Sequence, residues 1–361
     1  MKKVPVSLWV LMASLIALGA FLFLDIEKKK EPIVWDLDLQ TLKYKDLSFE
    51  KQSTFQGDRY YTSFSKDGKS YRYRASTAVP NIFQEFEELK MHGLYALEGE
   101  VRKEFPEDLF GESEESRCVE LMPVSEDSFR LCAANKDRNG KLFAVANRPS
   151  NEGEAYLIAK YTMDRLDSDR TSFLERRVFL YPTASSTLEM EVTLLSGLSD
   201  ADNSQFPYSV HLHRKEKQQK DAGPMMIWVD ESGNEAEAQF SNPLDTVIRQ
   251  FQIKFFSFEY EQNVKELWDS AEPLLEAKMT AGIDGKAVET MSVEVRKPGV
   301  SFEVQGEDLL LMNSPALDGV QAIDRETVKR TIGYIKGLQA IAPSRPMPVN
   351  SNPGQPRPGA P

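Results

Sequence analysis

Two kinds of hydrophobic patterning divide this chain. From Val4 to Leu24 no charged residue interrupts a run of mostly Leu, Val, Ile, Ala, Phe and Trp, which lies between the basic tip Met1-Lys2-Lys3 and the polar stretch Asp25-Ile26-Glu27-Lys28-Lys29-Lys30. A helix crossing the hydrocarbon core needs about 20 apolar residues at about 1.5 Å rise each. The run therefore predicts one N-terminal transmembrane helix, with Val4, Trp9, Leu15, Phe21 and Leu24 in the bilayer. It continues through Phe21–Leu24 past the small residues Gly19 and Ala20, so an uncleaved anchor is expected rather than a removed signal peptide. Lys2, Lys3 and the amino terminus nearly balance Lys28, Lys29 and Lys30 under the positive-inside rule. The short signal-like tip selects an N-in, C-out orientation; the reverse would leave the body in the cytoplasm.

Beyond Pro32 the pattern alternates with period 2. Arg59–Phe64 and Ser70–Arg74 flank Asp67-Gly68, and Phe129–Ala134 and Leu142–Ala146 flank Asn139-Gly140. Met225–Val229 and Glu237–Phe240 flank Ser232-Gly233-Asn234, and Asp284-Gly285 precedes the alternating run Ser292–Arg296. Asx-Gly pairs supply the positive φ angles of tight hairpin turns, so each pairing predicts a hairpin. Helical spacing punctuates these strands. Ile82, Phe83, Phe86 and Leu89 share a face, with Gly93 as a stop; Leu244, Val247, Ile248 and Phe251 share another, with Asn242 as cap and Pro243 at the first turn. Val328, Ile332 and Ile335 follow the cap Asp324, and a shorter helical stretch covers Lys160–Leu166. A few strands followed by one helix recur at roughly 80-residue intervals, which predicts an α+β fold: a single transmembrane helix, then repeated modules of antiparallel sheet plus one packed helix. The expected organisation is tip and anchor over 1–30, a first repeat pair over 31–183, a second over 184–341, and a Pro-rich disordered tail over 342–361.

Composition narrows the functional classes. The chain has 361 residues and a formal net charge of −12, so a phosphate backbone is an unfavourable partner and no nucleic acid is expected. Three histidines and two cysteines make it poorly stocked for histidine catalysis or for a thiol metal site. No cofactor is expected, and no Gly-x-Ser-x-Gly, His-Glu-x-x-His or dinucleotide fingerprint occurs.

The remaining candidate motifs are weak. Gly68-Lys69-Ser70 resembles the end of a phosphate loop, but Ser63 stands where the earlier glycine should be. His211 and His213 alternate on one strand and would share a sheet face; they lack an evident third ligand for zinc. Asp200-Ala201-Asp202-Asn203-Ser204 spaces oxygens like a calcium loop but lacks its glycine, and Glu112–Glu115 reads as a solvated acidic loop. Cys118 and Cys132 flank a possible hairpin. They oppose each other if the turn centres on Ser125 and miss each other if it centres later; periodicity leaves both registers open.

A resemblance rests on the order of these features. The Met-Lys-Lys tip, single span and Lys-Lys-Lys leading to Trp35-Asp36-Leu37 are one part of it. The others are the helix Asn81–Met91 ending in His92-Gly93-Leu94, Tyr156–Ala159 leading to Phe173–Phe179, and Met226–Val229 followed by Pro243–Phe251. The layout resembles a bacterial family of uncharacterised membrane-anchored proteins encoded near gliding-motility-type ABC transporter components. The resemblance brings no catalytic residues. It implies a non-catalytic accessory or scaffolding subunit in the periplasm, single-pass in the inner membrane, touching lipid through its helix and other membrane or periplasmic proteins through its body. The alternatives are a periplasmic hydrolase or envelope-modifying enzyme using paired carboxylates, and a solute-binding module.

Overall fold

The computed structural model describes residues 33–341, apart from 55–56, 111–116, 149–152, 180–185, 200–205, 220–222, 261–262, 316 and 318. The anchor residues Val4, Trp9, Leu15, Phe21 and Leu24, the acidic run 112–115, the oxygen-rich run 200–204 and the Pro-rich tail lie outside the described residues. Among those described, no helix is long and apolar enough to cross a membrane.

The chain divides into two compact units, Met1–Glu175 and Arg176–Pro361. The first contains β1 (Ile33–Val34), β2 (Leu39–Tyr44), β3 (Leu47–Thr54), β4 (Gly57–Lys66), β5 (Lys69–Arg74), β6 (Lys90–Met91), β7 (Leu94–Ala96), β8 (Arg117–Pro123), β9 (Phe129–Ala133), β10 (Lys141–Ala146) and β11 (Glu154–Ala159). Nine of these form one sheet in the order β5-β4-β3-β2-β8-β9-β10-β11-β7, and β1 pairs with β6 as a separate ribbon. Every strand pairing among the described residues is antiparallel, such as Leu42 opposite Leu121 and Phe49 opposite Thr62. Alternation along the strands sends Leu42, Tyr44, Phe49, Val119, Leu121 and Leu131 to one buried face. Helix α1 (Ala78–Glu87) contributes Val79, Ile82, Phe83 and Phe86 to this core, with Phe83 edge-on to Tyr60 at 5.1 Å. A smaller core of Phe105, Phe143, Val145 and Ala155 forms beneath Leu97, Val101 and Leu109, where the short helix α2 (Gly99–Arg102) crosses. Helix α3 (Lys160–Asp164) follows β11 directly.

The second unit contains β12 (Ser186–Leu194), β13 (Tyr208–Lys217), β14 (Met225–Val229), β15 (Ile253–Phe255), β16 (Glu272–Ile283), β17 (Lys286–Lys297), β18 (Glu303–Val304), β19 (Glu307–Asn313) and β20 (Gln321–Asp324). The sheet order is β14-β13-β12-β16-β17-β19-β20-β15, with β18 beside β19. Its buried face carries Met190, Val192, Leu212, Ala277, Met279 and Val293. Helices α4 (Ala238–Arg249) and α6 (Arg325–Ile341) pack on each other, and α6 also touches β12, β13 and β19. At Gly337 an added Cβ would lie 2.4 Å from the Phe240 ring, so the glycine permits that close approach. A short helix, α5 (Val264–Ser270), precedes β16.

The α+β expectation of repeated small modules is therefore corrected. The described residues are 47% strand and 22% helix, a mostly β chain. The expected hairpins at Asp67-Gly68, Asn139-Gly140 and Asp284-Gly285 are present, because each turn is fixed locally by residues at positive φ. The joins that merge them into wide sheets, Leu42 with Leu121 and Met190 with Met279, link residues far apart in sequence. No local period encodes them. Two further elements differ from the pattern. After Ser232-Gly233-Asn234 the chain makes one bridge, Val229 with Glu235, and then enters α4 instead of returning as a strand. That helix begins five residues before Pro243, so Asn242 is not its cap. Helix α1 ends at Glu87, and Lys90–Met91 are strand where the resemblance had helix to Met91.

Candidate functional site

The sheet of the second unit positions the residues singled out in the sequence. Ser209, His211 and His213 of β13 lie opposite Thr193, Glu191 and Glu189 of β12 on the polar face, while Leu212 and Met190 turn inward. His211 Nε2 is 2.5 Å from Glu189 Oε1, and Nδ1 is 2.9 Å from Glu231 Oε1 in the turn after β14. The two carboxylates meet opposite edges of the ring, so with His211 they cannot converge on one ion. Among the described residues no group of three or more His, Cys, Asp or Glu could hold a metal. The hydrogen bond to Glu231, then that to Glu189 and both negative charges, raise the His211 pKa above the ordinary value of 6.5 against the opposing effect of burial. The arrangement pins a turn to a sheet.

That turn walls a groove. The Asp230 carboxylate accepts from the backbone N–H groups of Ser232 and Asn234, each at 2.9 Å, and Lys217 pairs with Glu235. A cavity of about 360 Å³ results, floored by Ile227 and Val229 and edged by Lys215, Lys217 and Glu235. It runs beside β14, a border strand whose Met225 and Met226 are 43% and 50% exposed. Ala236 N donates to Trp228 O at 2.9 Å, so the turn covers the end of that border and leaves Met225–Ile227 beyond it. Flexible, exposed methionines beside a strand edge that is unpaired among the described residues are suited to accepting an extended polypeptide. Nothing in the sequence marked this groove, because the same alternation fits a strand paired on both sides.

Other polar clusters are closed on themselves. Asp245 of α4 is buried; it accepts from Thr187 at 3.1 Å, Arg214 at 3.2 Å and Arg249 at 2.9 Å. Arg214 also stacks over Trp228, 4.3 Å from the ring centroid. In the first unit Asp167 accepts from Tyr44 Oη at 2.5 Å and Lys45 Nζ at 2.9 Å, while Arg117 bridges Asp167 and Asp164. Burial works against ionising Asp167, but the Tyr44 and Lys45 hydrogen bonds and the Arg117 charge hold its carboxyl below the usual range. Of the described carboxyls, burial pushes up that of Glu85, which is paired with Arg165 and does not line the β14 groove. The Asp245 carboxylate fastens α4 to β12 and β13, and that of Asp167 fastens the segment after α3 to β2 and β8, whereas Glu85 Oε2 is buried without a hydrogen-bond partner.

Gly68-Lys69-Ser70 lies at the β4–β5 hairpin, with Asp67 and Gly68 at φ 52° and 74°. Its amides belong to a turn and form no cradle at a helix start. Cys118 and Cys132 are direct cross-strand partners on β8 and β9 and are disulfide bonded, with Cα atoms 4.0 Å apart. Leu121 opposite Phe129 centres the connection on Ser125, one of the two registers the sequence left open. No protein-family model, curated protein or solved structure matches the chain.

Proposed function

We propose that this chain is a non-catalytic, membrane-tethered accessory or scaffolding subunit whose body lies outside the cytoplasm, beside an ABC-type transporter or gliding-type machinery. The β14 border with its groove carries the binding role. It combines a strand edge unpaired among the described residues, two exposed methionines and charged walls of both signs, a surface suited to a strand from another protein. The apolar run Val4–Leu24 supports the tether. The Cys118–Cys132 bond supports the compartment, because disulfides persist where the medium is oxidising. The transporter setting rests on the order of sequence features described above.

Affinity capture of the full chain from detergent-solubilised membranes tests this reading. Recovery of an ABC-type permease or its auxiliary protein is expected, with loss of that recovery in Met225→Asp. A soluble complex free of any transporter component overturns it.

A further inference from the structure

Four of the exposed large hydrophobic residues lie along one border of the first unit. Strand β7 closes the sheet beyond β11, with Ala155 opposite Tyr95 and Tyr156 opposite Leu94. Strand β6 precedes it with His92 and Gly93 between, and His92 N donates to Leu157 O, so β6 and β7 follow the same side of β11. Strand β1 pairs with β6, Ile33 opposite Met91 and Val34 opposite Lys90. The border therefore presents Ile33 at 52% exposure, Val34 at 49%, Leu94 at 49% and Tyr95 at 42%. The residues differ in the faces they take, which makes a rim and not a stripe over one face. Scattered apolar residues need no explanation, but a group on two short strands linked through β6 does.

The covalent chain limits how far this rim can lie from a membrane. Ile33 follows the end of the apolar run, Leu24, by nine positions. At about 3.3–3.6 Å per residue, even a fully extended connection spans roughly 30 Å. Strand β1 therefore stays within that distance of the bilayer edge whenever Val4–Leu24 spans a membrane. Tyr and aliphatic residues beside a basic group suit the headgroup boundary: an aromatic ring can span apolar and wet layers, and the exposed Lys90 opposite Val34 offers a positive charge to an anionic surface. Water and headgroups there can still satisfy the backbone groups of a sheet border, which the hydrocarbon interior cannot.

We propose that the rim formed by Ile33, Val34, Leu94 and Tyr95 rests on the lipid headgroup surface and fixes how the first unit stands on the membrane. This rests on the tether reading above. It goes further, because a tether alone leaves the body free to tumble.

The test uses the full chain in bilayer discs of phosphatidylethanolamine and phosphatidylglycerol. An environment-sensitive fluorophore is attached at Leu94→Cys, and in separate samples at Ile33→Cys and Lys69→Cys, with Cys118 and Cys132 left bonded. Lys69 sits on β5 at the opposite border, eight strand spacings away, or about 38 Å at about 4.8 Å each. The expected result is blue-shifted emission at positions 94 and 33, lost on adding lipids with a quencher near the headgroup, and no change at position 69. Ile33→Cys removes little packing, so it reads the surface even if Leu94→Cys folds poorly. Equal, water-like emission at all three positions in protein held by the discs overturns the proposal and leaves the tether standing. Labels shielded from both lipid and aqueous quenchers also overturn it and assign the rim to a protein contact. Release of the unlabelled chain from membranes by alkaline carbonate removes tether and rim together.

Discussion

Reducing the Cys118–Cys132 bond should weaken the first unit and leave the second unchanged. The bond closes a loop with a sequence separation of 14 residues. In the chain-entropy treatment, cross-linking a loop of this length lowers the entropy of the unfolded chain enough to stabilise the fold by about 3 kcal/mol at room temperature. The two strands are already paired through Val119–Leu131 and Leu121–Phe129, so reduction need not disturb native contacts, and the effect falls mainly on the unfolded state. For a domain of this size about 1 kcal/mol moves the melting midpoint by about 2–4 °C, so a drop of about 6–12 °C is expected. Differential scanning calorimetry with and without reductant reads both units at once, and Cys118→Ala/Cys132→Ala checks that the reductant acts through this pair. The transition assigned to Met1–Glu175 should fall while that of Arg176–Pro361 stays. A change equivalent to less than about 1 kcal/mol, or equal movement of both transitions, would refute the reasoning.

Other perturbations read the second unit. Asp245→Ala leaves Arg214 and Arg249 without the carboxylate they share and should cost about 3–5 kcal/mol in urea unfolding, the range for breaking a buried pair; no loss would mean that the pair contributes nothing. Gly337→Val should cost about 1–3 kcal/mol, because any Cβ there meets the Phe240 ring, and a neutral result would show that the two helices separate easily. His211 has a folded pKa raised above 6.5, so its contribution is complete below that value and is lost as pH rises through the folded pKa. His211→Gln should therefore remove the loss of stability that the unaltered chain shows as pH rises from below 6.5 through the folded pKa; the same pH dependence in both proteins would exclude His211 as its source.

The sequence made its turns legible where chemistry is local. Asp67-Gly68, Asn139-Gly140 and Asp284-Gly285 declare their backbone through the few residues that tolerate positive φ. Asp324 declared itself as the start of α6, and its carboxylate accepts from Thr327 N at 2.9 Å. Local signals also misled. Asn242-Pro243 has the form of a helix start, yet the helix begins at Ala238, where Phe240 fits beside Gly337 from a strand-distant helix. Repeating strand–helix order suggested separate modules because periodicity records which face is buried and not which strand lies alongside. The cysteine register was likewise undecidable until Leu121 and Phe129 were seen opposite each other. The groove at β14 and the rim at β1 and β7 stayed hidden for the same reason: an edge strand and a central strand share one pattern, and only the sheet order separates them.

Protease treatment of spheroplasts carrying the full chain tests most directly whether this is a membrane-tethered body outside the cytoplasm. Degradation of the body in unlysed spheroplasts, with a short N-terminal fragment kept in the membrane, is the expected result. Protection of the whole chain until the membrane is broken would contradict it.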